Sequence, residues 1–334
     1  MAVVYYAKFN INSNLEELKK DKGNLEELLS TFANEIDTKH NVYKFIQENE
    51  YTISQDEVDE DGNEVKKKVT EIETYRFIKI KRLKEKHGNI IMGELMREKP
   101  DSIKIYNNDT HDIESTGINA RAYSTSFLFD LKSETIAFTE RLGIGRNQFI
   151  KAFEELSKAI LKDQAVKVIL KQNARNFVEQ VKELSRVNQI DIEIISPNFV
   201  DKELSEIEEE AKKIGEEMDE QNITKMQYYL ETSAENDKGI DIEGKYAQET
   251  LHKYSIMSVL GYAKAVITGF VGKSPKTIKS EKDAPLVTTI SYEDRENEIN
   301  FKEHVLNAIE REAIKRTIKK QNANKNIKGE NGIV

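Results

Sequence analysis

One short string in the sequence carries residues that could cleave a phosphodiester bond. Asp241, Glu243 and Lys245 have the carboxylate-x-lysine spacing with which one large class of nucleases holds a metal ion and positions water. The same Glu-x-Lys spacing recurs elsewhere in the chain, as chance predicts when 33% of the residues are charged. A metal-dependent nuclease is therefore one hypothesis, but no further carboxylate stands at a spacing that would complete the ligand set.

A second string resembles the start of a phosphate-binding loop. It runs from Gly269 to Ser274 and includes Gly272 and Lys273. The phosphate-loop motif requires a further glycine where this sequence has Ile267, and Pro275 stands where the helix of the motif should open. The string therefore predicts a glycine-rich turn after a strand.

A third string predicts either an anion site or a tight turn. Gly143 and Gly145 precede a helical pattern, but Gln148 occupies the third glycine position of a dinucleotide-binding loop, which argues against a Rossmann site. The free amides of the helix start, with Arg141 and Arg146 beside them, form an anion-binding candidate. The alternative is a turn flanked by solvated arginines.

A basic stretch between Tyr75 and His87 is the main candidate for contact with nucleic acid. It has six basic residues against one acid, and apolar residues are interleaved with them. A basic hairpin with apolar anchors can lie along a phosphate backbone, whereas charges on an edge strand can also serve only to prevent aggregation. The candidate phosphate contacts are Arg76, Lys79, Lys81, Arg82, Lys84 and Lys86, with Lys273 and Lys276 as secondary candidates.

Composition argues against several classes of protein. The formal net charge of −9 is unusual for a protein that neutralises phosphates, although a local field can differ from the total. Cysteine is absent, which excludes disulfides, cysteine-bound metals and thiol catalysis, and the five histidines have no metal-ligand spacing. We therefore expect no enzyme, no cofactor and no metal. No apolar run is long enough to span a bilayer and no leader peptide is visible, so we expect a cytoplasmic protein without membrane contact.

The elements that must position these residues predict an α+β fold with mixed, mostly antiparallel sheets and amphipathic helices packed on one face. Alternating apolar residues in 3–11 predict a strand, apolar residues at helical spacing predict a helix from Asn24, and Val42–Leu95 is β-rich. The polar segment Pro100–Gly117 predicts a loop.

The second half predicts strands and helices in alternation. Tyr123–Leu131 and Thr135–Arg141 predict a hairpin, a helix follows from Arg146, and Ser258–Phe270 predicts a later strand. The predicted domains are a β-rich unit with one long helix over 1–117, an α+β unit with the order β-β-α-β-α-β over 118–298, and a C-terminal helix with a basic tail over 299–334.

The order of these elements resembles that of the RexA family of phage-exclusion proteins, whose architecture is RdgC-like. The residues that carry the resemblance are the phenylalanine-rich strand Tyr123–Asp130 with its partner Thr135–Phe138, and the path from Ile190–Ile195 into an acidic helix. The later part, including Gly261–Pro285, also resembles an uncharacterised bacterial family of mobile elements and defence islands. The resemblance implies a non-enzymatic, dimeric DNA-binding protein that acts in phage exclusion or abortive infection.

Three hypotheses about function follow. The first is a DNA-binding component of an anti-phage system that forms a homo-oligomer. The second is a protein-interaction sensor or adaptor bound to a neighbouring defence-system subunit, because residues 201–220 hold ten acids against three lysines and catalytic spacing is absent. The third is the nuclease described above.

Overall fold

The computed structural model describes residues 1–11, 22–37, 42–52, 66–85, 88–107, 112–162, 164–197, 206–233 and 238–311. The strands are β1 (Ala2–Ile11), β2 (Tyr43–Thr52), β3 (Lys66–Glu85), β4 (Gly88–Asn107), β5 (Asp112–Asp130), β6 (Thr135–Thr139), β7 (Val166–Leu170), β8 (Arg186–Ile195), β9 (Lys225–Glu231), β10 (Ala263–Val271), β11 (Ser274–Lys279) and β12 (Val287–Ile290). The helices are α1 (Lys22–Glu35), α2 (Arg146–Ile160), α3 (Ala174–Lys182), α4 (Glu206–Asp219), α5 (Lys245–Leu260), α6 (Ser280–Asp283), α7 (Tyr292–Glu296) and α8 (298–311).

These elements build two sheets, and the fold is α+β as the sequence predicts. The larger sheet has the strand order β12-β1-β6-β5-β4-β3-β2, and β7 pairs with the second half of β1 on the side where β12 pairs with the first half. The smaller sheet has the order β11-β10-β8-β9. All pairings among the described strands are antiparallel.

Helices cover both faces of the larger sheet, because its strands carry apolar residues on both sides. On one face, α1 and α2 pack a phenylalanine-rich core in which the rings of Phe77 and Phe153 are 4.9 Å apart. On the other face, Phe301 and Val305 of α8 pack against alternate residues of the same strands, such as Met92. The prediction that helices pack on one face therefore holds for only part of the molecule.

The smaller sheet has one apolar face and one polar face. Alternate residues of β8, such as Ile190 and Ile192, are buried against α3, α4 and α5. The residues between them, Asp191 and Glu193, lie on the other face, because successive residues of a strand alternate between the two faces of a sheet. This polar face forms the floor of the candidate site described below.

Two predicted segments are wrong. The segment Pro100–Gly117 forms strand rather than loop: β4 and β5 continue their ladder out to the pair Asn107 and Asp112, with only 108–111 between them outside the described residues. Polar composition therefore did not prevent backbone pairing.

The second error concerns the strand predicted over Ser258–Phe270. The strand begins at Ala263, and the residues before it end α5, which has Gly261 at its C-terminal cap with φ of +84°. Helix α5 buries polar Thr250 and Ser258 together with its apolar residues, so its apolar spacing is blurred in the sequence.

The larger sheet also crosses the predicted domain boundary at residue 117. That residue lies within β5, and β1 near the N-terminus pairs with β6, β7 and β12 from the second half. The predicted order β-β-α-β-α-β is seen from β5 to β8, but these strands are shared between the two sheets.

Candidate binding cleft and the predicted cationic surface

A polar cleft of about 360 Å³ lies between the smaller sheet and the start of α2. Its floor is the polar face of the smaller sheet, and its walls are the first turn of α2 and helix α6. Volumes of this size are typical of sites for small molecules. The cleft therefore brings together residues from β8, β9, β10, β11, α2 and α6 that are far apart in the sequence.

Strand register fixes the order of side chains on the cleft floor. Val266 of β10 is paired with Asp191 of β8 on one side and with Lys279 of β11 on the other. In the next row, Lys264 is paired with Glu193. Because alternate residues of a strand share a face, these side chains all project to the same side of the sheet.

Three cationic side chains of the cleft have no carboxylate within ion-pair distance among the described residues: Arg146, Lys279 and Lys282. The guanidinium of Arg146 donates to the carbonyl oxygen of Lys282 at 3.4 Å and lies 5.6 Å from the ring centre of Tyr5. The backbone amide of Lys279 donates to Asp283 at 2.7 Å, which fixes the start of α6 beside the cleft. Cationic groups without a carboxylate partner leave the cleft able to bind an anion.

The fourth cation of the cleft, Lys264, is already neutralised. Its ammonium lies 3.3 Å from Glu193, which Lys225 also contacts at 2.7 Å. Burial by itself raises the pKa of the Glu193 carboxyl, but the hydrogen bond from Lys225 and the charge of Lys264 together bring the pKa below its ordinary value. Glu193 is therefore a structural carboxylate that is held by two lysines.

Glu281 is a carboxyl group of a different kind. Burial raises its pKa above the ordinary value, and the nearby charge of Lys264 and a hydrogen bond from the backbone amide of Leu170 only partly oppose that effect. No described lysine or arginine lies within ion-pair distance of it. A carboxyl with a raised pKa in a cleft is a candidate functional group.

The structure places most of the predicted basic stretch against carboxylates. Four of its five described cations are in ion pairs: Arg76 with Glu98 at 3.5 Å, Lys79 with Glu94 at 2.7 Å, Lys81 with Glu298 at 2.5 Å and Arg82 with Asp37 at 2.8 Å. Lys84 is exposed, and Lys86 lies outside the described residues. The pairs are largely at the surface, where an ion pair contributes only about 0–1 kcal/mol to stability.

The basic stretch also divides between the two faces of the larger sheet. Arg82 reaches α1, where its guanidinium donates to the carbonyl oxygens of Ala33 and Asn34 as well as to Asp37. Lys81 instead reaches α8 on the opposite face. These neighbouring cations therefore do not lie on one surface.

The secondary candidates Lys273 and Lys276 belong to the smaller sheet, at the turn between β10 and β11. This turn has Gly272 with φ of +60°, as the glycine-rich string predicts. Lys273 is exposed, and Lys276 lies 3.8 Å from Glu183. Lys273 and Lys276 therefore lie on a different sheet from the basic residues of β3.

The predicted anion site at the start of α2 is occupied by the protein's own side chains. The amide of Arg146 donates to the carboxylate of Glu140 at 2.8 Å, and the amide of Gly145 donates to the side-chain oxygen of Gln148 at 3.0 Å. Arg141 forms two hydrogen bonds to Glu296, at 2.6 and 2.7 Å. Of the residues predicted there, only the guanidinium of Arg146 faces the cleft.

The carboxylate-x-lysine string forms the start of α5. The Asp241 carboxylate accepts from the backbone amide of Glu243 at 3.0 Å, and Lys245 is exposed and lies 3.9 Å from Glu249. Within the described part of the chain, no group of three or more histidine, aspartate or glutamate side chains is placed to hold a metal ion. Among the described helices, none has the length and apolar character needed to cross a membrane.

Comparison with protein families adds one finding. Residues 3–311 match a family described as a domain of unknown function, DUF4747. The chain belongs to the DUF4747 family. A comparison with curated proteins found no match. The match includes both sheets and every residue of the cleft, so in this DUF4747 chain the cleft lies wholly within the family region.

Sequence reasoning found part of the cleft of this DUF4747 protein and missed the rest. In the sequence, Asp191 and Glu193 alternate with isoleucines, and this pattern predicts the polar strand face that the structure shows. Lys279, Lys282 and Glu281 were missed, because each is one charged residue among many and only the register of β11 and the position of α6 bring them to the same place.

Proposed function

We propose that this protein is a non-enzymatic binding protein whose cleft recognises a small anionic ligand. The observation that carries the proposal is the convergence of Arg146, Lys279 and Lys282 on one cleft, each without a carboxylate partner among the described residues. Lys79, Lys81 and Arg82 of β3 contrast with this arrangement, because each already has a carboxylate beside it. A sensor or adaptor protein needs only a ligand-binding site of this kind and a surface whose interactions change when the ligand binds.

The proposal is tested by titrating the protein with inorganic phosphate and pyrophosphate in a calorimeter. The variant Lys279→Glu/Lys282→Glu should lose roughly tenfold or more in affinity, since hydrogen bonds to charged groups contribute ~1.5–3 kcal/mol each. The matched control is Lys132→Glu/Lys273→Glu, which makes the same change of charge at exposed lysines outside the cleft. Absence of binding to the wild type, or an equal loss in the control, would reject the cleft as an anion site.

DNA binding through β3 is the second candidate function. The observation in its favour is the exposure of Lys79 and Lys81, whose side chains are 68% and 54% accessible, so phosphates could compete with the carboxylates that hold them. Each lysine that contacts phosphate should add nearly 0.9 to the slope of log affinity against log salt concentration. Fluorescence anisotropy of a labelled duplex should therefore show a smaller slope for Lys79→Gln/Lys81→Gln than for the control Lys132→Gln/Lys182→Gln. An unchanged slope would exclude this surface.

The role in phage exclusion that the RexA resemblance implies is part of the proposal, as are a cytoplasmic location and a homo-oligomeric state or a partner subunit. If the cleft is the sensing site, cells that carry the wild-type gene should restrict plaque formation, and cells that carry Lys279→Glu/Lys282→Glu should not. Equal plaque counts with and without the wild-type gene, across a panel of phages, would contradict a defence role.

A further inference from the structure

The cleft floor continues into a row of side chains that fits more than an inorganic anion. Tyr229 of β9 is paired with Asp191 of β8, which is paired with Val266 and, through it, with Lys279. All four residues lie on the polar face of the sheet. The row therefore presents an aromatic ring, a carboxylate, an apolar step and an ammonium group in that order.

Asp191 is placed to accept hydrogen bonds from a ligand. Its Oδ1 accepts from the side-chain amide of Gln227 at 2.8 Å, which orients the carboxylate and leaves the second oxygen and further lone pairs for another donor. No described lysine or arginine forms an ion pair with it. A carboxylate of this kind best matches a planar ligand edge that carries two adjacent N–H donors.

Tyr229 supplies a surface for such a planar group. Tyr229 is 52% exposed. Its hydroxyl donates a hydrogen bond to the Glu231 carboxylate at 2.9 Å, which holds the ring in place. Single bases are commonly recognised by stacking on tyrosine and by hydrogen bonds to their Watson–Crick edges. Tyr229 lies outside the residues that line the cleft, but it is paired with Asp191 in the strand register, so the ring and the carboxylate belong to adjacent strands on the same face of the sheet.

The cationic end of the cleft lies at a suitable distance from this carboxylate. Asp191 and Lys279 are separated by two strand spacings, or about 10 Å between backbones. A nucleoside monophosphate can bridge such a separation between its base and its phosphate. Lys282 and Arg146 lie at the same end as Lys279 and would add further charge opposite the phosphate.

We propose that the anionic ligand of the cleft is a guanine nucleotide, with its base on Tyr229 and Asp191 and its phosphate at Lys279, Lys282 and Arg146. Guanine is the base whose Watson–Crick edge carries adjacent N1–H and N2–H donors, whereas adenine offers one amino group there and hypoxanthine lacks the 2-amino group. The inference rests on the proposed anion-binding function and adds that the phosphate belongs to a nucleotide whose base is guanine.

The test measures the binding of inorganic phosphate, GMP, IMP and AMP to the full chain by calorimetry. We expect GMP to bind at least tenfold more tightly than phosphate, and IMP and AMP to bind several-fold more weakly than GMP. Asp191→Asn, which can still accept the hydrogen bond from Gln227, should remove the preference for GMP and should not weaken the binding of phosphate, because it removes a negative charge from the cleft. Tyr229→Leu should weaken all three nucleotides without affecting phosphate.

The outcomes separate this inference from the proposed function. If phosphate and nucleotides all fail to bind, the anion-binding function fails, and the guanine inference fails with it. If phosphate binds but GMP, IMP and AMP have equal affinities, or Asp191→Asn keeps the preference for GMP, the anion site stands and the guanine inference is overturned. A circular dichroism spectrum of each variant confirms that the variant is folded.

Discussion

The Glu281 carboxyl makes the stability of the protein depend on pH in a definite direction. Its pKa is raised in the folded protein, mainly by burial, so the folded state holds this proton at a pH where the unfolded chain has lost it. The free energy of unfolding therefore falls as pH rises from the pKa of Glu281 in the unfolded chain through its higher pKa in the folded protein. Above the folded-state pKa, the loss of stability stays constant.

Glu281→Gln should consequently raise the free energy of unfolding at pH 7 and flatten its decline above pH ~4.5, the ordinary glutamate value. Glutamine removes the charge and keeps an oxygen that can accept from the Leu170 amide. Urea unfolding of the variant and the wild type between pH 4.5 and 7.5 provides the comparison. If the variant is less stable than the wild type throughout this range, the burial of the Glu281 carboxylate does not destabilise the folded protein, which would contradict this prediction.

The pair Glu73 and Arg97 is a buried contact whose two partners depend on each other. The guanidinium of Arg97 makes two hydrogen bonds to the Glu73 carboxylate, one from Nε at 3.0 Å, and both side chains are about 90% buried. Tyr75 donates to the same carboxylate at 2.9 Å. Burial alone raises the pKa of Glu73, but these hydrogen bonds together lower it below its ordinary value.

Arg97→Met should destabilise the protein by about 3–5 kcal/mol, because it leaves a buried carboxylate without its cation. Glu73→Gln/Arg97→Met should recover much of that loss, since the remaining amide is neutral and can still accept from Tyr75. Chemical denaturation of the two variants and the wild type measures both values. A double variant no more stable than Arg97→Met would show that the lost charge pairing is not the cause.

At the scale of elements, a bulge in β3 determines on which face of the sheet the side chains of the basic stretch lie. Ile78 is paired with Glu94 and Lys81 with Met92, so Lys79 and Ile80 together face Gly93. Ile80 packs over Gly93, where a Cβ atom would lie 2.4 Å from its Cδ1. The extra residue of the bulge places Lys79 in the left-handed region, with φ of +54°.

Lys79→Gly should therefore be more stable than Lys79→Ala by roughly 1–2 kcal/mol, because a residue with a Cβ is strained in the left-handed conformation. Both variants lose the ion pair with Glu94, so their difference isolates the backbone term. Thermal unfolding of the two variants under the same conditions gives the comparison. Equal stability would mean that Lys79 does not hold a positive φ in solution.

At the scale of the whole molecule, the cleft lies between units that contribute to different cores. Arg146 starts a helix of the larger sheet's core, whereas Lys279 belongs to the smaller sheet. A ligand that contacts both should stabilise the native protein by mass action, by about 2.7 kcal/mol at a hundred times its dissociation constant. Thermal unfolding with saturating phosphate should show this shift in the wild type and not in Lys279→Glu/Lys282→Glu. A shift of equal size in both proteins would place the anion elsewhere.

The sequence by itself determined the type of most elements, because apolar spacing reflects local geometry. The period of two in 3–11 predicted β1, and the spacing of Phe149, Phe153 and Leu156 predicted α2. It failed for α5, where the buried polar residues Thr250 and Ser258 hide the period. It also failed for 100–107 and 112–117, where backbone pairing outweighs a polar composition.

Only the tertiary structure decided which charges are already paired and which meet in the cleft. The sequence shows that Lys81 is basic, but its pairing with Glu298 depends on where α8 packs, 217 residues away. In the same way, Asp191 and Lys279 become neighbours only through the register of β8, β10 and β11. Electrostatic interactions act over distances in space, so the identity and local spacing of charged residues do not specify them.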